Sequence, residues 1–198
     1  MLLRLLNADV LPFEFSDLSD TLGRYLKEVQ KLTDEEREKS RDKNRWLKDQ
    51  TFAAVYDPRQ PYFPPNPDDP VPFLNFAPLE NAMARLQDSA RAYSTALGRL
   101  RAREQAVSPD TQRALDTMLY QTERAFLSEK GLPQRPWYRH QIYAPGFYTG
   151  YGVKTLPGVR EAIEGRRWAE ATEQIQTTAH AIERAATEIQ RAVSMLGP

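Results

Sequence analysis

Apolar residues recur at three- and four-residue spacing through five segments of this chain, and no stretch alternates convincingly with the two-residue period of a strand. The first segment follows Leu11-Pro12-Phe13, with Ser16 placed as an N-cap, and carries Leu18, Leu22, Tyr25, Leu26, Val29 and Leu32 on one stripe. Its continuation from Asp34 to Asp49 is almost wholly charged until Trp46 and Leu47, which suits a solvent-facing extension of the helix or a frayed end. A second helix is predicted from about Pro78 to Glu104, with Leu79, Met83, Leu86, Ala90, Tyr93, Leu97 and Leu100 on one face. A third opens on Ser108 as N-cap with Pro109 at the first helical position, and continues through Leu115, Met118, Leu119, Thr122 and Phe126. A short turn of helix follows Pro157-Gly158, using Val159 and Ile163. The last helix starts near Arg167 and keeps Trp168, Ala171, Ile175, Ala179, Ile182, Ala186, Ile189 and Val193 in register. Four long amphipathic helices bury their stripes only against one another, so the pattern predicts an all-α, up-down four-helix bundle. The alanines on the inner face of the last helix suit a tight core, or second best a helix contact between subunits.

Two long loops interrupt this pattern. Between Asp57 and Pro78 lie eight of the fifteen prolines, and neither a helix nor a central strand passes through such a segment. Its aromatics Tyr62, Phe63 and Phe73 favour packing on a surface over free solvation. The second loop, 131–158, holds six aromatics, four prolines and five glycines in 28 residues. That composition serves either a structural tie between helices or an interface, where Tyr and Trp bring large apolar area with a polar tip.

Composition narrows the partners. The 198 residues suit one domain or two small ones, and 27 basic residues balance 27 acidic ones. The two signs are interleaved, so a polyanion such as nucleic acid is not an expected partner. With no cysteine, disulfides and thiolate metal sites are excluded. Met1-Leu2-Leu3-Arg4-Leu5-Leu6 is too short for a signal peptide core or a membrane span, and an opening this abrupt reads as a fragment of a longer chain. Direct membrane insertion is not expected.

Self-contained chemistry is not expected either. A hydrolytic zinc site needs three or more converging ligands, and the chain offers only His140 and His180 in unrelated contexts, His180 beside the apolar stripe as a surface or boundary residue. There is no H-E-x-x-H, no G-x-S-x-G and no phosphate-cradling glycine loop. No catalytic residue, metal ligand or cofactor is assigned within the chain.

The runs Glu123-Arg124-Ala125-Phe126, Gly131-Leu132-Pro133, Arg135-Pro136, Tyr138-Arg139-His140, Ile142-Tyr143-Ala144-Pro145 and Pro157-Gly158 resemble the transferrin-receptor-like dimerisation domain of the glutamate carboxypeptidase II family of zinc peptidases. Ala8-Asp9-Val10-Leu11-Pro12-Phe13 resembles the junction where the peptidase domain passes into that domain. The resemblance implies residues 1–15 as the end of a peptidase domain and 16–198 as a helical dimerisation domain, with 57–78 a proline-rich insertion and 131–158 a pocket-facing loop. It implies a homodimer, a parent that is a zinc metallopeptidase with its zinc in the absent peptidase domain, and a peptide substrate met by the 146–158 loop. In the glutamate-specific member a Lys-Tyr pair in that loop holds the substrate's C-terminal residue. The resemblance places Tyr151 on the tyrosine but Gly150 on the lysine, with Lys154 a substitute if the loop folds differently. The competing expectations are a receptor-like, non-catalytic parent that binds a protein ligand, and a stand-alone helical adaptor. The absence of an N-x-S/T sequon fits a bacterial source, and the family's membrane-anchored ectodomains imply export of the parent to the periplasm or outside.

Overall fold

In a computed structural model, residues 10–54, 57, 59, 61, 63–102, 107–150 and 152–197 are described. The chain is mostly helical. Helix α1 spans Ser16–Lys48, α2 Thr51–Ala54, α3 Ala77–Ala102, α4 Pro109–Gln121, α5 Pro157–Glu164 and α6 Trp168–Leu196. A 3₁₀ turn, Thr122–Phe126, follows α4 directly, so the third apolar pattern changes pitch before it ends.

The core is organised around the pair α3 and α6. Leu79, Ala82, Leu86, Ala90, Tyr93 and Leu97 of α3 share it with Ile175, Ala179, Ile182, Ala186 and Ile189 of α6. The alanines of α6 are buried within the chain, because small side chains let two helix axes approach closely. The remaining helices pack around this pair unequally. Helix α1 packs on α3 and α5, while α4 and the 3₁₀ turn pack on α6. The N-terminal segment joins the same core: Val10 and Phe15 are buried, Phe15 meets Tyr93 edge-on at 5.1 Å, and the Leu11 N–H donates to Asp116 Oδ1 at 2.8 Å.

The charged half of α1 is ordered helix. Its buried stripe continues beyond Val29 through Thr33 and Ser40, small polar residues that return their hydroxyls to Val29 O and Glu36 O. Ser16 is not the N-cap expected from its residue type. The helix starts one residue earlier in register, with Phe15 as cap, and the Ser19 hydroxyl donates to Ser16 O. Ser108, by contrast, caps α4 and accepts from the Thr111 N–H at 3.2 Å.

The second half of the proline-rich segment lies along α1 as a strap. The Asn44 amide pairs with both backbone groups of Asp68, at 2.8 and 2.9 Å, in the manner of a strand partner. Lys43 forms an ion pair with Asp68, and Arg166 donates to Ser40 Oγ at 2.8 Å and to Asp69 O at 2.7 Å. Phe63 and Phe73 nevertheless stay exposed, contrary to the expectation that they pack down, and Tyr62 lies outside the described residues.

Tyr93 carries a testable feature. Its hydroxyl is buried with no hydrogen-bond partner among the described residues, and burial pushes its pKa up to about 12. An unpaired buried hydroxyl costs about 1–3 kcal/mol. Tyr93→Phe is therefore expected to stabilise the fold by about 1 kcal/mol in a urea titration.

Candidate functional site: a clamped aromatic loop

The loop after the 3₁₀ turn is held by backbone bonds in irregular order. Ser128 N–H donates to Arg139 O, Leu132 N–H to Tyr138 O and Gln141 N–H to Phe126 O, at 2.8–3.0 Å. Gly131 turns the chain at φ +66°, with Pro136 packed against its Cα face. From α6, Arg184 donates to the carbonyls of Ala125 and Leu127, both at 2.9 Å, which satisfies the end of the 3₁₀ turn.

Beyond it lies a feature absent from the helical reading. Strands β1, Tyr143–Pro145, and β2, Val153–Thr155, pair antiparallel, with Tyr143 opposite Thr155 and Pro145 opposite Val153. Three residues per strand are too few to display a period of two, so the sequence pattern could not report them. The pleat sends Ala144 to the core and Tyr143, Pro145 and Val153 outward. Antiparallel ribbons with one buried face ordinarily put polar residues on the other. Here Val153, on the outer face, is 70% exposed, and in the turn between the strands Tyr148 is 81% exposed, its ring meeting that of Phe147 edge-on at 4.7 Å.

The ribbon is secured from beneath. Arg135 and Glu161 are almost fully buried and paired, Arg135 Nη2 reaching both carboxylate oxygens at 2.7 and 2.8 Å. Arg135 also donates to Pro145 O, and Glu161 Oε1 accepts the Phe147 N–H at 2.9 Å. On the α1 side, Arg160 bridges Glu28 and Thr155. Leu156, which caps α5, is held at φ +45° in the left-handed region although it is a bulky residue, and burial with a 2.7 Å bond to Ile142 O keeps it there.

The three residues singled out for substrate contact fall differently. Gly150 sits exposed at the hairpin tip with φ +59° and open space around its Cα. Lys154 lies on the inner face of β2, its ammonium paired with Glu164 at 2.7 Å rather than directed outward. Tyr151 lies outside the described residues. Sequence reasoning missed Glu161 altogether. Its one signal is an acid among the buried Val159, Ala162 and Ile163 of α5.

A second titrating cluster borders the ribbon. His140 Nδ1 accepts from the N–H groups of Ile142 and Tyr143 at 3.3 and 3.4 Å, which fixes the neutral tautomer with its proton on Nε2. Nε2 stands 3.2 Å from Glu123 Oε1 but off the line of a good hydrogen bond, whereas the Tyr143 hydroxyl donates to the same oxygen at 2.7 Å. That bond, with burial, pushes Tyr143 up to about 12. Burial holds His140 below the ordinary histidine value, against the opposing pull of Glu123. Because the folded pKa lies below the unfolded one, the contribution of His140 is complete above about pH 6.5 and is lost as pH falls through the folded value. Thermal unfolding between pH 7 and 5 is expected to show a falling midpoint that His140→Gln flattens.

His180 is exposed on α6, as expected from its place beside the stripe. Among the described residues no three His, Asp or Glu side chains gather as a metal site, and no helix is long and apolar enough to cross a membrane.

The fold and site thus define a helical domain that presents a pre-ordered apolar loop. Residues 74–190 match the family described as the transferrin receptor-like dimerisation domain. The chain belongs to that family. It is 34% identical over 111 residues to a probable glutamate carboxypeptidase of the fungus Arthroderma benhamiae, covering 56% of this chain and 15% of that protein. It is 37% identical over 84 residues to the probable glutamate carboxypeptidase LAMP1 of Arabidopsis thaliana, covering 42% and 12%. Over 96% of its length it is 24% identical to the rat aminopeptidase NAALADL1, of which it spans 22%. The chain therefore spans between about an eighth and a quarter of these relatives. They are fungal, plant and mammalian and lend no support to a bacterial source.

Proposed function

We propose that this domain joins two copies of a longer, exported glutamate carboxypeptidase-like zinc peptidase and contributes its 146–158 loop to the substrate pocket of that protein. The observation that carries the loop's role is a ribbon clamped from within whose Val153 and Tyr148 are left exposed by the described residues. A solvating loop has no physical reason to display Val153 and Tyr148 on a fixed support. Zinc belongs, in this reading, to the preceding peptidase domain and would polarise the scissile carbonyl and activate water there. This chain's part is to bind and orient a peptide. With Gly150 where a lysine would meet a C-terminal carboxylate, and Lys154 engaged by Glu164, the loop supplies apolar contact in place of a cation. The preference is then for peptides other than those ending in glutamate.

Two measurements test this. In the full-length protein Tyr151→Ala is expected to raise KM for peptide substrates roughly ten-fold, the size of one lost binding contact; unchanged kinetics would remove the pocket role. Light scattering across a concentration series is expected to show a dimer of the full-length protein, and a monomer at every concentration would refute the joining role. A non-catalytic receptor-like parent is the alternative, and the peptidase names of the relatives weigh against it.

A further inference from the structure

The exposed face of the loop is set by two residues that never reach it. Glu161 accepts from Arg135 on both oxygens and from the Phe147 N–H on one, while Arg135 donates to Pro145 O. One ion pair thereby grips both ends of the short backbone stretch Pro145–Phe147. That stretch is the neck of the hairpin, where the Gly146 N–H donates to Gly152 O at 2.8 Å. The rings of Tyr138 and Phe147 lie 5.8 and 5.9 Å from the guanidinium carbon and shield the pair from solvent.

A buried ion pair is a poor source of net stability, because desolvating both charges offsets most of their attraction. Arg135 Nε is moreover buried without a partner among the described residues. The side chain's place is governed by Glu161 and Pro145 rather than by satisfying all of its donors. What this arrangement supplies, and an apolar pair of equal volume would not, is a fixed height and direction for the backbone at 145–147.

We propose that Arg135 and Glu161 are positioning residues for substrate binding, holding the 146–158 loop in its binding conformation from the side opposite the substrate. The inference rests on the pocket role assigned to that loop. It predicts that the pair acts on KM through loop geometry and leaves the chemical step, performed elsewhere, alone.

The test uses Glu161→Gln, which keeps the shape of the side chain and removes its charge. Amide hydrogen exchange in this chain is expected to accelerate roughly ten-fold or more at 146–150 and 152–155, with α3 and α6 unchanged. In the full-length peptidase, KM for a peptide substrate is expected to rise roughly ten-fold with kcat within about two-fold. Should Glu161→Gln not fold, the double variant Arg135→Met/Glu161→Leu removes every bond to the loop backbone while leaving no buried charge, and the same two readouts apply. Unchanged exchange in the loop overturns the positioning role and leaves the pocket reading standing. Faster exchange with unchanged KM overturns both. A fall in kcat with KM unchanged also overturns the positioning role.

Discussion

Gly131→Ala is expected to destabilise the domain by about 3 kcal/mol, measured as a lowered midpoint in chemical unfolding. Two costs combine. At φ +66° any L side chain meets a left-handed penalty of about 1–2 kcal/mol. A Cβ there would also lie 2.1 Å from Pro136 O and 2.5 Å from Pro136 C, and backbone atoms cannot swing aside as a side-chain end does. Relieving that overlap means displacing the turn that carries Arg135, a rearrangement of the kind that costs about 1–3 kcal/mol. Gly150 provides the comparison, since its φ of +59° is similar but nothing stands within 4 Å of a Cβ. Gly150→Ala is expected to cost only about 1 kcal/mol. Equal losses at both glycines would show that the contact with Pro136 contributes nothing.

The second large effect comes from breaking the buried ion pair on one side only. Arg135 is 7% exposed and Glu161 12%, so Arg135→Met strands a carboxylate and Glu161→Leu strands a guanidinium. Each single change is expected to cost about 3–5 kcal/mol, most of it the penalty of a buried unpaired charge. The double change is expected to return to within about 1 kcal/mol of the parent stability, because both desolvation costs disappear together. A full double-mutant cycle by denaturant titration measures this. Additive losses, giving a double variant less stable than either single one, would show no coupling between the two side chains and refute the stranded-charge account.

Legibility in the sequence followed the length of each element. Helices α3 and α6 announced themselves because six or more apolar residues fall at helical spacing, and α4 through Leu115, Met118 and Leu119 together with its boundary at Ser108-Pro109, where the serine side chain caps. The charged half of α1 was ambiguous because its buried positions, Thr33 and Ser40, are polar residues whose hydroxyls are satisfied within the helix. Ser16 misled because capping depends on backbone geometry, and the chain enters the helix at Phe15. The loop's unusual composition was plain, and its aromatic exposure agrees with an interface. Its mechanism of order was not, since Arg135 and Glu161 lie 26 residues apart and neither belongs to a periodic pattern. The same holds for Lys154, whose engagement with Glu164 follows from a three-residue strand that no spacing rule detects.

The strap along α1 has a further consequence. Asn44 and Asp68 close the intervening chain into a circuit anchored at its own base, with Arg166 fastening Asp69 just beyond. Closing a loop costs free energy only as the logarithm of its length, so doubling the segment between those anchors adds about 0.6 kcal/mol. The helical core beneath is insulated from what happens there. The stretch between Lys48 and Pro67 is thus a place where sequence can be gained or lost over generations, a site of growth on the domain.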